Sequence, residues 1–216
     1  MLDFHDIQQN SDEWFEMRGG RVTSSKLNVV MANFGKAFGE PAKKYAYQIA
    51  VEQITGKPIS STYKNEAMER GHIEEPIART MYEDETFNKV KNGGFFCSKY
   101  IGCSPDGLVD SDGVTEFKSA EASIHYSRIA KQSYDSSYKW QLIGNVKFTN
   151  RSWIDFVSYC SEFPDGAQLY VYRLWADDLK DEFSMIDERL EQFFTLVSTS
   201  KEKILSSSYF NMARKI

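Results

Sequence analysis

Residues 103–118 read CSPDGLVDSDGVTEFK, two short apolar and β-branched runs separated by an Asp-Gly pair. Asp112-Gly113 is a strong turn signal between GLV and VTEFK, so this part of the chain must double back as a hairpin or meander. Just upstream, GFFC and YIGCS extend the series of short strands back to residue 94. Side chains alternate faces along a strand, which puts Glu116 and Lys118 on one surface and turns Phe117 into the core. Because the turn folds the preceding strand back, Asp106 is expected beside Glu116 although nine residues separate them.

The flanking patterns say what this hairpin packs against. Residues 42–56 (AKKYAYQIAVEQITG) read as a helix ending at Gly56. Residues 63–86 carry a second helical pattern, either kinked at Pro76 or starting near it, because proline cannot donate to the carbonyl of His72. YKWQLIGNVKFT (138–149) reads as helix, and SWIDFVSYC and QLYVYRLW, separated by FPDG, read as adjacent antiparallel strands. Beyond Asp177, placed as an N-cap, Leu179, Phe183, Ile186, Leu190, Phe193 and Val197 recur at spacings of 4, 3, 4, 3 and 4, an amphipathic helix. The order of helices, strands, helix, strands, helix predicts a mixed α/β or α+β fold. No repeat or low-complexity tract divides the 216 residues, so one domain spanning 1–216 is expected, with NFGKAFGEPAKK (33–44) as a mobile, basic loop.

Cys97, Cys103 and Cys160 form no C-x-x-C and are odd in number, which points to reduced, partly buried thiols rather than disulfides or a zinc cluster. No apolar run approaches the roughly 18 residues that cross a bilayer. The N-terminus MLDFHDIQQN is polar and acidic, unlike a signal peptide, so a soluble, cytoplasmic protein is expected. Lysine and arginine number 26 against 31 acidic residues, a net charge of -5, so any nucleic-acid binding must come from a local patch.

Two carboxylates beside a lysine have two readings. In one, Asp106 opens a turn, Asp110 and Asp112 cap the hairpin, and Glu116 and Lys118 form an exposed ion pair contributing under about 1 kcal/mol. In the other, the carboxylates hold a divalent cation such as Mg²⁺, which takes oxygen ligands and keeps waters for chemistry. The metal would acidify a bound water and polarise a phosphoryl oxygen, while the lysine orients or deprotonates the attacking water. A calcium-binding loop is excluded, because Leu108 stands where the pattern needs an acid or Asn.

The S-P-D-G element, the nine-residue interval and E-F-K resemble the PD-(D/E)XK nuclease core, and the neighbouring blocks resemble its lambda-exonuclease-like (YqaJ-type) viral recombinase branch. EWFEMRGGRVTSSKL (13–27) is similar to that branch's W-x-x-x-R and T-x-S block, RGHIEEPIART (70–80) to its G-x-x-x-E-x-x-A-R helix, and YKWQ (138–141) to the helix bringing a glutamine to the site. The resemblance spans about residues 12–160 and implies a restriction-endonuclease-like core, a central mixed sheet flanked by helices.

It further implies that Asp106, Glu116 and the Phe117 carbonyl hold metal, that Glu75 supports the metal or its water, that Lys118 handles the nucleophile, and that Gln141 orients Lys118 or the water. Arg18 and Ser25 would hold a 5′-phosphate. Glu74 replaces Glu75 if the block slips by one, although Arg79 at i+4 favours Glu75. By themselves Arg18 reads as a surface cation, Ser25 as a cap for KLNVVMANF, and Gln141 as polar filler. Trp14, Trp140, Trp153 and Trp175 read as core residues rather than base-stacking platforms, and His72 and His125, without partner histidines, as structural or as phosphate neighbours. Ile143 and Gly144 depart from the second glutamine that often follows the first in this branch.

The activity so implied is a Mg²⁺-dependent (Mn²⁺ as substitute) exonuclease degrading one strand of double-stranded DNA 5′ to 3′, releasing mononucleotides and leaving 3′ tails for recombination. A ring-shaped homotrimer on DNA ends and a single-strand annealing partner are implied too, with Lys36, Lys43 and Lys44 as candidate lining of the hole. The alternatives are a site- or structure-specific endonuclease with the same metal core, and an inactive DNA-binding or assembly module.

Overall fold

The structure is a computed structural model, and it describes residues 2–59 and 66–207. In chain order its elements are β1 (Asp3–His5), α1 (Asp12–Arg18), β2 (Val22–Thr23), α2 (Leu27–Met31), α3 (Glu40–Thr55), α4 (Glu66–Thr86), β3 (Val90–Asn92), β4 (Phe95–Cys97), β5 (Ile101–Cys103), β6 (Gly107–Val109), β7 (Gly113–Ser119), α5 (Ala122–Lys131), α6 (Lys139–Thr149), β8 (Trp153–Tyr159), β9 (Leu169–Trp175) and α7 (Lys180–Ser206). The series of short strands is divided between two sheets, ordered β1-β4-β5-β2 and β3-β6-β7-β8-β9. In the five-stranded sheet β7 and β8 run parallel and the remaining pairs antiparallel, so the sheet is mixed. The parallel pair is possible because α5 and α6 carry the chain back between its strands.

Helices cover both faces of that sheet. Val114, Ile154 and Phe156 point to the side of Leu142, Ile143 and Val146 on α6, beyond which lie α2, α3 and α7. Phe117, Trp153 and Val157 point the other way, onto Ala78 and Tyr82 of α4. The expected stripe on α7 is inside: Ile186, Leu190, Phe193 and Val197 are buried against Ala42, Tyr45, Ala46 and Ile49 of α3. Each large apolar side chain so covered contributes roughly 1.5–3 kcal/mol, which holds the three-layer stack together. All three cysteines are free and buried. Among the described residues no helix is long and apolar enough to cross a membrane.

Several local expectations are corrected. The β6–β7 turn is Asp110-Ser111-Asp112, with Asp110 in the left-handed region at φ 47°, while Gly113 already pairs with Val109. Gly113 is required for a different reason: a Cβ there would lie 2.1 Å from the Trp153 ring. Pro76 lies inside α4, which is already helical ten residues earlier at Glu66; positions 63–65 of the expected helix fall outside the described residues. The 33–44 segment is loop only to Gly39, since Pro41 sits in the first turn of α3 and puts Lys43 and Lys44 on that helix. The remainder is clamped by the buried Arg189, which donates to the carbonyls of Val30, Ala32 and Lys36 and stacks on Phe38. Asp177 is no N-cap: residues 176–179 form a 3-10 turn leading into α7, and its exposed carboxylate pairs with Lys180. Trp175 is not core but 49% exposed, with Arg173 between it and Trp153.

Candidate active site

The β6–β7 ladder brings the two strand carboxylates together. Gly107 pairs with Thr115, and one step further along the same register Asp106 stands opposite Glu116. Asp106 is fixed from three sides: its N–H donates to the Thr115 carbonyl at 3.0 Å, its carboxylate accepts the Phe117 N–H at 2.7 Å, and its carbonyl accepts Arg79 Nη2 at 2.6 Å. Phe117 is anchored in the core against Tyr82, so alternation along β7 turns Glu116 and Lys118 to the opposite face, as expected.

Glu116 is 1% exposed, and both of its oxygens are occupied. Oε1 accepts Lys118 Nζ at 2.5 Å and a short hydrogen bond from the Gln141 amide; Oε2 accepts Asn145 Nδ2 at 2.8 Å. Lys118 also donates to the Phe117 carbonyl at 3.1 Å and lies 3.8 Å from Asp106 Oδ2. The exposed-pair reading of Glu116 and Lys118 therefore does not hold: Glu116 is buried and Lys118 half-buried. Burial and the neighbouring Asp106 push the Glu116 carboxyl above its ordinary range, while Lys118 pulls it back. For Lys118, burial acts to lower the pKa, but the Glu116 and Asp106 carboxylates outweigh it and the net shift is upward.

On α4, Glu75 faces this cluster and Glu74 does not. Burial first, then Asp106, raises the Glu75 carboxyl to about 7, against the opposite pull of Arg79, 3.8 Å away, and of Lys118. Glu74 instead accepts the Ser161 hydroxyl at 2.7 Å, beyond the end of β8. Among the described residues no three or more His, Cys, Asp or Glu side chains are arranged so that they could hold a metal ion. Asp106, Glu116, the Phe117 carbonyl and Glu75 all offer oxygen, and the carboxylates raise one another's pKa; oxygen donors of this kind suit a hard divalent cation.

Arg18 and Ser25 also meet. Arg18 Nη2 donates to Ser25 Oγ at 3.0 Å and reaches Thr23 Oγ1 at 3.4 Å, with the guanidinium 4.1 Å above the Trp14 ring. No carboxylate forms an ion pair with Arg18 among the described residues, and burial lowers its pKa. Ser25 lies in a 3-10 turn and is not the cap of α2, whose start has no side-chain cap. Trp14 donates from Nε1 to Ser104 Oγ at 2.9 Å, tying α1 to the residue two before Asp106. His125 is buried between Ser158 Oγ and the Ala167 carbonyl, a structural histidine as expected.

Asn145 and Thr23 carry contacts that the sequence analysis did not assign. Asn145 follows Gln141 at i+4, so helical periodicity puts both amides on one face of α6. Thr23 is the first residue of the T-x-S element itself.

Comparison with known proteins adds relatives to this geometry. An alkaline exonuclease (LHK-Exo) from Laribacter hongkongensis is similar at 30% identity over 90% of this chain and 98% of its own, with a TM-score of 0.75. The same enzyme in complex with dAMP gives the same values. A phage-related exonuclease from Haemophilus somnus 129PT has the same fold, with a TM-score of 0.63 at 15% identity over 86% of this chain and 95% of its own. Among curated proteins none matches the sequence. Residues 13–152 match the YqaJ-like viral recombinase domain, a span holding both the Arg18 pocket and the carboxylate cluster, and this chain belongs to that family.

Proposed function

We propose that this protein is a Mg²⁺-dependent 5′-to-3′ exonuclease on double-stranded DNA, working as one nuclease domain over residues 1–216. The observation that carries the reading is the convergence of Asp106, Glu116 and Lys118 on one half-buried patch, with Glu75 facing it. The similar Laribacter hongkongensis protein is an alkaline exonuclease, described also with dAMP, a mononucleotide. Asp106, Glu116 and the Phe117 carbonyl hold the metal, and Glu75 supports it. Bound there, Mg²⁺ or Mn²⁺ supplies an acidified water and a Lewis acid for the scissile phosphate.

The protein's own groups do the positioning. Lys118, held beside the Glu116 and Asp106 carboxylates, orients or deprotonates the attacking water. Gln141 shares Glu116 Oε1 with Lys118 and so fixes where that ammonium points. Arg18 and Ser25 take a terminal 5′-phosphate, which supplies the anion that the guanidinium lacks. Because Trp14 ties the Arg18 helix to Ser104, the end is gripped at a set distance from Asp106. An acidic chain holds DNA through such local contacts, and a ring-shaped trimer with Lys36 toward the hole, working with a single-strand annealing protein, fits that need.

Linear duplex DNA incubated with Mg²⁺ is expected to yield mononucleotides and single strands, and covalently closed circles are expected to survive. Cleavage of closed circles would favour the endonuclease reading, and cleavage in EDTA would exclude the metal mechanism.

A further inference from the structure

Three oxygens gather around the Lys118 ammonium. Nζ lies 2.5 Å from Glu116 Oε1, 3.1 Å from the Phe117 carbonyl oxygen and 3.8 Å from Asp106 Oδ2. These belong to the same three groups that the nuclease reading assigns to the metal. Beyond them the ammonium meets the Tyr138 ring, 5.6 Å from its centroid.

The oxygens are fixed and the lysine is not. Asp106 Oδ2 accepts the Phe117 N–H at 2.7 Å, and Glu116 Oε2 accepts Asn145 Nδ2 at 2.8 Å. Asn145 is itself held, because α6 packs onto α2 at Gly144, where a Cβ would lie 2.4 Å from Leu27 Cδ1. Phe117 is locked into β7 by its register with Val157 of β8 and by its buried ring. Lys118 has a flexible four-carbon stem and a side chain 22% exposed, so it is the part with room to turn away. Mg²⁺ contacts its oxygens at about 2.0 to 2.1 Å, and a second positive charge among the same oxygens would be repelled at close range.

We infer that Lys118 is a placeholder: its ammonium occupies the divalent-cation site of the free protein, and it must swing out before the cation can bind. This rests on reading Asp106, Glu116 and the Phe117 carbonyl as metal ligands. Without metal, the ammonium offsets the repulsion between Asp106 and Glu116 and keeps their oxygens together. When the cation enters, Lys118 is released from the carboxylates and becomes available to the attacking water, so loading the site and freeing the lysine are one event.

Mg²⁺ affinity of the full chain, measured by calorimetry without DNA, tests this in wild type, Lys118→Met, Lys118→Gln and Glu116→Gln, with thermal melts in EDTA and in Mg²⁺ alongside. Methionine fills the volume of the stem and glutamine keeps a neutral donor for Glu116, so the pair separates loss of charge from loss of packing. Both Lys118 variants are expected to bind Mg²⁺ about 10- to 100-fold more tightly than wild type, because no charge-assisted bond has to break first. The gain should persist between about 0.1 and 0.5 M KCl, since direct occupancy is not screened as a distant charge is. In EDTA both should melt below wild type, and Mg²⁺ should raise their melting temperatures by more than it raises that of wild type. That second readout holds even for a variant that folds only with the metal. Unchanged or weaker Mg²⁺ binding in either variant, or a gain that vanishes at the higher salt, would overturn the inference and leave Lys118 a neighbour of the cation rather than its stand-in. If neither wild type nor the Lys118 variants bind Mg²⁺, or Glu116→Gln binds it as wild type does, the metal reading itself fails, and this inference with it.

Discussion

Lys118 lies within hydrogen-bond reach of Glu116 Oε1 and the Phe117 carbonyl, and the Glu116 and Asp106 carboxylates raise its pKa against the opposite pull of burial. Replacing it with alanine removes the donor without touching the Arg18 pocket. Turnover is expected to fall about 10²- to 10⁴-fold with duplex binding retained, compared by single-turnover cleavage and by binding in Ca²⁺. Near-normal turnover would make Lys118 a bystander. Arg18 makes a second, independent prediction. Duplexes with a 5′-phosphate should be degraded about 10- to 150-fold faster than 5′-hydroxyl duplexes, and Arg18→Ala should erase the difference by slowing the phosphorylated substrate alone. Initial nucleotide release from the two duplexes measures it, and an unchanged preference in the variant would remove Arg18 from the pocket. At this scale the sequence was informative wherever strand alternation decided the outcome, as for Glu116, Phe117 and Lys118. It could not say which hydroxyls Arg18 would meet, nor that Asn145 would take the second oxygen of Glu116, because those contacts depend on how α6 and the 3-10 turn at 24–26 pack.

Elements with a strong period were legible: the α7 stripe, the β8–β9 pair and the α3 helix with its Gly56 end. Misplacements arose where a local signal had a tertiary cause. The Asp-Gly pair looked like a turn, yet Gly113 is there because the Trp153 indole lies against its Cα. Gly113→Ala should therefore destabilise by about 1–3 kcal/mol, the range for overpacking a core, and lower the melting temperature. A turn role alone, by contrast, would leave melting nearly unchanged, because Gly113 itself is not in the left-handed region. Similarly, 33–44 looked like one loop because nothing local shows that Arg189, some 150 residues away, would bind three of its neighbouring carbonyls. The partition of the short strands into two sheets was also hidden, since hydrophobic alternation does not say which strand pairs with which.

Across the whole molecule the acid excess has a local focus. The three carboxylates Glu75, Asp106 and Glu116 gather where Lys118 and Arg79 are the nearby cations. A carboxyl raised in the folded state, as Glu75 is to about 7, adds stability below its unfolded value of about 4.5, and that stability is lost as pH rises through about 7. Divalent cations require the deprotonated form, so Mg²⁺ should raise the melting temperature more at pH 8 than at pH 5.5. Thermal melts in EDTA and in Mg²⁺ at the two pH values check this, and Glu75→Gln should shrink the contrast. An equal shift at both pH values would separate Glu75 from the metal.

The most direct test of the nuclease account follows the strands themselves. Linear duplexes carrying a label on either the 5′ or the 3′ end of one strand would be digested in Mg²⁺ by wild type, Asp106→Ala and Glu116→Ala. The account predicts that the 5′ label is released at once as a mononucleotide, that the 3′ label persists in long single strands, and that both variants leave the duplex intact. Early release of the 3′ label, or cleavage by either variant at the wild-type rate, would contradict it.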